Sequence, residues 1–154
     1  MPVKKLKKTS HKYTYKKKVL EQYGPIFDLG KLHNYSSKIA SIIKIINDSE
    51  GIVFIYTNYV NAGIIPLQLT LEQNGYKKHK GEDILKYPEW NKSADKFKTK
   101  REPMSFDGQT RSHAGDTFQQ GKYMVIDASI SKNLLQQQIA IVNSKDNMNG
   151  EKIK

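Results

Sequence analysis

The sequence predicts an α/β domain with a short parallel sheet flanked by helices, and three observations support this prediction. A continuous apolar run at residues 52–56 is typical of a strand that is buried on both faces. A second run of the same kind covers residues 123–126, and a third strand is expected to begin at residues 151–154. Helical patterns separate these runs, and such alternation favours a parallel sheet.

The helix before the first apolar run is predicted by a stripe of isoleucines. They recur at the spacing of one helix face, at Ile39, Ile42, Ile43 and Ile46. Asn34 or Ser36 is expected to cap this helix, because a short polar side chain accepts hydrogen bonds from the free N–H groups of the first turn.

Two further helices are predicted after the apolar runs. The first carries its apolar face at Ile64, Leu67 and Leu71 and ends at residues 74–75. Its Pro66 fits only the first turn, where the missing N–H costs nothing. The second helix begins at the cap Ser131 and carries its apolar face at Leu135, Ile139 and Val142.

Composition divides the chain into a basic tail and one domain. The 154 residues suffice for a single domain, and the net charge is +11. Residues 1–18 hold eight lysines and no acid, which predicts a disordered or loosely helical tail and leaves +3 for residues 19–154. Within that domain, residues 77–120 are polar and rich in glycine and proline, so we expect an inserted loop anchored locally by Trp90 and Phe97.

Several classes of site are excluded by residue type and spacing. There is no cysteine, and the four histidines (His11, His33, His79, His113) are isolated, so no metal site is predicted. Neither an acid–base pair nor a nucleophile triad can be assigned, and the phosphate-binding loop GxxxxGK[ST] is missing. No secretion signal or membrane-spanning run is found, so a cytoplasmic protein without a membrane partner is expected.

The candidate binding residues follow the first apolar run. Tyr56, Thr57, Asn58 and Tyr59 offer hydroxyl and amide groups beside a helix N-terminus, which suits contacts to a phosphate backbone. The alternative is a simple strand-to-helix turn with an N-cap. The basic tail is likewise either a nucleic-acid arm, with His11, Tyr13 and Tyr15 stacking on bases, or only a solubilising end.

Separated blocks of the sequence resemble one family. The blocks are YSSKI at residues 35–39, EGIVFIY at 50–56, GIIPL at 63–67, LEQNGY at 71–76, KYMVI at 122–126 and DNMNGEKIK at 146–154. They are similar to the second RecA-like domain of superfamily-two DEAD/H-type helicases from large cytoplasmic DNA viruses. Residues 52–59 resemble helicase motif IV, with Thr57 at the family's serine and Tyr59 at its aromatic position.

The resemblance implies a partial RecA-like three-layer domain that grips nucleic acid. Tyr56, Thr57, Asn58 and Tyr59 would contact a DNA or RNA backbone, and Ser129 is a weaker candidate because its turn lacks the family's glycine. The complete protein would use ATP and Mg²⁺ and would include a first RecA-like lobe. This chain lacks motifs V and VI and therefore the arginine finger, so it is expected to bind no cofactor and to have no ATPase activity alone.

A function of another class is also open. The chain is alternatively a small basic nucleic-acid-binding or virion protein without catalytic activity, in which the tail and the polar loop form the active surface. In either case the expected location is the host cytoplasm or the virion.

Overall fold

The computed structural model describes residues 13–86 and 102–154, in which short helices surround a small parallel sheet. The helices are α1 (Lys17–Tyr23), α2 (Leu29–Leu32), α3 (Ser37–Asp48), α4 (Ile65–Gln73), α5 (Arg111–Ala114) and α6 (Lys132–Val142). A π-helical turn at Val60–Ile64 leads into α4, and 3₁₀ turns cover Gly115–Thr117 and Lys145–Asn147. Strands β1 (Lys77–Lys78) and β2 (Lys122–Tyr123) pair in parallel. The prediction of mixed helices and parallel strands is confirmed at this level.

The three predicted helices form with the expected ends. Ser36 caps α3, since its Oγ accepts from the Ile39 N–H at 3.2 Å. Ser131 caps α6 in the same way, and Pro66 lies in the first turn of α4. The chain leaves α4 through Gly75, whose φ of +94° favours glycine. A Cβ there would collide with the backbone of residues 102–104, so the close approach also requires glycine.

The core consists of two apolar clusters that meet at α4. The larger cluster contains Leu32, Ile43, Ile46, Leu71, Tyr76, Met104 and Tyr123. The smaller cluster contains Tyr15, Leu20, Leu69 and Leu85. Because Leu69 and Leu71 lie on different sides of α4, this helix packs against both clusters and is buried nearly all round.

The apolar run at residues 52–56 is not a strand, and here the prediction is wrong. The segment is extended, but within the described ranges none of its backbone groups hydrogen-bonds to another backbone group. Phe54 is 83% exposed and Tyr56 is 76% exposed, while Val53 is the member that packs against the larger cluster. An apolar run becomes a buried strand only where a neighbouring strand satisfies its N–H and C=O groups.

Of the other two predicted strands, one is shortened and the other does not form. Strand β2 covers only Lys122–Tyr123, and Ile126 is exposed. Residues 151–154 form no strand, although Ile153 is buried. The Asn147 side-chain oxygen accepts from the Lys152 and Ile153 N–H groups at 2.7 and 2.8 Å, which takes both donors away from any strand ladder.

The end of the predicted basic tail belongs to the fold. The Tyr13 N–H donates to the Ile84 oxygen, and the Lys86 N–H donates to the Tyr13 oxygen, both at 2.6 Å. Tyr15 is buried and its hydroxyl donates to Gln73 at 2.9 Å. Disorder is therefore wrong for residues 13–18, whereas the helical alternative agrees with Lys17 and Lys18, which begin α1. Tyr15 is not free to stack on a base. His11 lies outside the described residues.

The predicted inserted loop contains regular structure at both ends. Strand β1 lies at its beginning, and α5 with two isolated bridges, at Met104 and Ser105, lies in its second half. Trp90 and Phe97 lie outside the described residues.

In α6 the predicted apolar face is only partly covered, because Ile139 is 43% exposed whereas Gln138 is buried.

Candidate nucleic-acid interface

The four candidate residues after the exposed segment form one turn at the surface. Tyr56 and Tyr59 are 76% and 69% exposed, Asn58 is exposed, and Thr57 is half-buried. The turn precedes the π-helical Val60–Ile64, so the chain enters fourteen residues of continuous helix here. The sequence therefore predicted correctly that these side chains lie together before a helix.

Local hydrogen bonds hold this turn in shape. The Thr57 Oγ1 accepts from the Tyr59 N–H at 3.2 Å, and the Tyr56 hydroxyl donates to the Asn58 Oδ1. Gly63 packs directly on the Thr57 side chain, where a Cβ would collide with it. The Ile64 N–H donates to the Tyr59 oxygen at 3.0 Å, which closes the π-helical turn.

The arrangement offers two kinds of contact to an extended polyanion. The exposed rings of Tyr56 and Tyr59 present faces on which bases can stack. Thr57 and Asn58 add a hydroxyl and an amide between them, which are groups that commonly bond phosphate oxygens. Such contacts position a strand without reading its sequence.

Ser129 lies in a different turn, and no hydrogen bond among the described residues joins it to Tyr56 or Tyr59. Its N–H and hydroxyl both donate to the Asp127 Oδ1, at 2.8 and 2.6 Å. The hydroxyl and the N–H of Ser129 lower the pKa of Asp127, so this carboxylate is charged and holds the serine. Ser129 also lines a cavity of about 320 Å³ together with Lys78 and Lys80.

Sequence reasoning missed a buried carboxylate behind the sheet. Glu72 accepts from the Ile84 and Leu85 N–H groups at 3.0 and 2.6 Å, and from the Tyr123 hydroxyl. Burial raises the pKa of Glu72 despite these donors, and burial together with Glu72 raises the pKa of Tyr123. The carboxylate thus joins α4, β2 and the segment after β1. No local sequence pattern marks it, since its partners are distant in the chain.

In the part of the chain that the structure describes, no three His, Asp or Glu side chains are grouped so that they could hold a metal ion. Over the same ranges, none of the helices has the length and apolar character needed to cross a membrane.

Comparison with protein-family models, with curated proteins and with solved structures finds no match to this chain.

Proposed function

We propose that this chain binds nucleic acid through Tyr56, Thr57, Asn58 and Tyr59, as the second RecA-like lobe of an ATP-dependent helicase or translocase. The observation that carries the proposal is the pair of exposed tyrosines on either side of Thr57 and Asn58. Large aromatic side chains exposed together at a polar turn suit stacking on bases. Lysines replace the counterions of a phosphate backbone, and residues 1–18, which carry +8 of the net charge of +11, supply most of the attraction to a polyanionic partner.

In this proposal the chain contributes positioning and no bond-breaking step. Thr57 and Asn58 contact the backbone, while Tyr56 and Tyr59 stack on neighbouring bases. ATP and Mg²⁺ belong to the complete two-lobed protein. The residues of this chain do not fit an ATP site of their own, because the glycine-rich phosphate loop of this sheet class is missing from the sequence.

A small basic nucleic-acid-binding protein without catalytic activity is the second candidate. One observation favours it: the segment that resembles motif IV lies outside the two-stranded sheet. The α/β core would then serve only as a scaffold for a binding surface. Sequencing the reading frame on both sides separates the candidates, because a helicase requires a phosphate loop upstream and arginine-containing motifs downstream.

The binding surface is tested by fluorescence anisotropy with a labelled single-stranded oligothymidine. We expect the double variant Tyr56→Ala/Tyr59→Ala to raise the Kd by roughly tenfold or more, since each lost base–aromatic stack weakens binding. Thr57→Ala/Asn58→Ala is expected to weaken binding less and equally for all sequences.

The matched control is Tyr23→Ala/Tyr35→Ala, which removes two other exposed tyrosines. The control should leave the Kd within about twofold of the unaltered chain, because isolated surface residues away from the site contribute little. An unchanged Kd in Tyr56→Ala/Tyr59→Ala, with binding abolished by removing residues 1–12, would overturn the proposal.

A further inference from the structure

The register of the two strands places positive charges side by side. Lys77 is paired with Lys122 and Lys78 with Tyr123 in the parallel ladder. Neighbouring strands are about 4.8 Å apart and residues in register point to the same face, so the Lys77 and Lys122 side chains begin as neighbours. Like charges at such positions destabilise a sheet unless an opposite charge lies between them.

A cavity of about 510 Å³ opens beside this lysine pair. Its lining residues are polar or charged: Lys77, Lys78, His79, Gln119, Gln120, Lys122 and Glu151. Lys77 and Lys122 therefore bring two ammonium groups to a space large enough for a small organic anion. The Lys78 side chain leaves the opposite face of β1 and acts on Asp127, and the Gln120 Nε2 donates to the Gly75 oxygen at 3.2 Å.

The positive charge of Lys77 and Lys122 is only partly offset by the protein, because Glu151 is the one carboxylate in the lining of this cavity. In residues 13–86 and 102–154, the salt bridges join Lys17 to Glu21 and Lys152 to Asp146, and the lysines of the cavity take part in none. The one carboxylate in the lining, Glu151, accepts from the Asn149 N–H and side-chain amide at 3.0 and 2.8 Å. Its oxygens are thus turned to its own loop.

His79 adds a second observation at the same cavity. Both of its ring nitrogens are shielded from solvent and have no hydrogen-bond partner among the described residues. Burial lowers the pKa of His79, and the charges of Lys122 and Lys80 lower it further. The ring therefore contributes to the cavity wall through its other atoms, close to Lys122.

We propose that this cavity binds the phosphate groups of a ligand between Lys77 and Lys122, with the Gln119 side-chain amide as an additional donor. Lysine is a common phosphate ligand because its ammonium group acts as a point charge with three donors. The phosphates come either from a free diphosphate-type molecule or from a nucleic-acid backbone. The site is independent of the proposed function, because a phosphate anion needs no aromatic surface.

The test is thermal unfolding of the full chain with pyrophosphate, compared with sodium chloride at equal ionic strength. At about ten times the Kd, pyrophosphate should raise the Tm by roughly 3 °C or more. The variant Lys77→Gln/Lys122→Gln should lose this rise. Without pyrophosphate the variant should be at least as stable as the unaltered chain, because the repulsion between the two charges is removed.

The control variant Lys38→Gln/Lys44→Gln removes the same charge from exposed positions of α3 and should keep the rise. No rise in the unaltered chain, or an equal rise in Lys77→Gln/Lys122→Gln, would overturn the proposal. If the control variant lost the rise in Tm to the same extent, the proposal would be overturned too, because the rise would then depend on net charge in general. A second measurement does not depend on variant folding: the His79 ring proton resonances, assigned with His79→Gln, should shift on adding pyrophosphate.

Two arms identify the source of the phosphates. If Lys77→Gln/Lys122→Gln also weakens oligothymidine binding by threefold or more, the site belongs to a nucleic-acid backbone. The slope of log affinity against log salt concentration should then decrease by about one phosphate contact for each lysine removed. If oligothymidine binding is unchanged while the pyrophosphate effect is lost, the ligand is a free phosphate compound. Both results support the site, and they separate it from the tyrosine surface.

Discussion

Helix α4 and the exposed segment at residues 52–56 reverse the usual relation between polarity and burial. Six consecutive residues of α4 are buried, and four of them are polar: Gln68, Thr70, Glu72 and Gln73. The exposed segment is entirely apolar or aromatic, yet Phe54 and Tyr56 face solvent. The difference lies in hydrogen-bond partners. Glu72 has three donors, whereas the backbone at residues 52–56 has no backbone partner within the described ranges.

Apolarity alone therefore does not decide what this fold buries. A buried polar group is tolerated when its hydrogen bonds are complete. Removing that group leaves the donors that bonded to it unpaired. The segment at residues 52–56 forms no backbone pairs within the described ranges, and Val53 packs against the larger cluster while Phe54 and Tyr56 stay exposed. The following predictions test this contrast, beginning with the largest expected effect.

Replacing Glu72 by alanine should be strongly destabilising. The change leaves the Ile84 and Leu85 N–H groups and the Tyr123 hydroxyl without their acceptor. We expect the free energy of unfolding to fall by about 3 kcal/mol or more, measured by urea denaturation. The control Glu21→Ala removes an exposed carboxylate whose partner Lys17 lies at 3.7 Å, and it should cost at most about 0.5 kcal/mol. Equal losses in the two variants would contradict the contrast.

Glu72→Gln should lower the free energy of unfolding by less than Glu72→Ala does, and it should remove the pH dependence of stability that Glu72 contributes. Because the pKa of Glu72 is raised above its ordinary 4.5, the folded chain holds this proton to higher pH than the unfolded chain does. Stability contributed by the group is therefore lost as pH rises above 4.5. Glutamine does not titrate, so the unaltered chain should lose stability relative to Glu72→Gln as the pH is raised.

Urea denaturation of both proteins across that pH range measures the difference. Asp127→Asn serves as the control, because the lowered pKa of Asp127 confines its effect to pH below its ordinary 3.8. Stability curves for the unaltered chain and Glu72→Gln that stay parallel above pH 4.5 would contradict the prediction.

The smallest effect is expected at Phe54. With 83% of the residue exposed, Phe54→Ser should change the free energy of unfolding by no more than about 0.5 kcal/mol. Leu71→Ala, at a buried position of α4, should cost about 2–4 kcal/mol in the same assay. A loss at Phe54 close to that at Leu71 would show that residues 52–56 are buried in solution, and the comparison with α4 would fail.

Much of the local structure could be predicted from the sequence. Ser36 and Ser131 cap their helices, Pro66 lies in a first turn, and Gly75 ends α4, because each choice depends on a few neighbouring residues. The turn with Tyr56 and Tyr59 was placed correctly before a helix for the same reason. Local backbone preferences and capping hydrogen bonds are encoded within one or two turns of chain.

The sheet and the polar core were decided by tertiary structure. Whether residues 52–56 become a strand depends on a pairing partner from elsewhere, and β1 arises in a segment whose lysines give no strand signal. The hydrogen bonds of Glu72 depend on contacts that the sequence does not place side by side, because its partners Ile84, Leu85 and Tyr123 lie 12, 13 and 51 positions away. The sequence alone determined helix positions, charge and the candidate turn. Strand pairing and the Lys77–Lys122 juxtaposition required the fold, because they join residues dozens of positions apart.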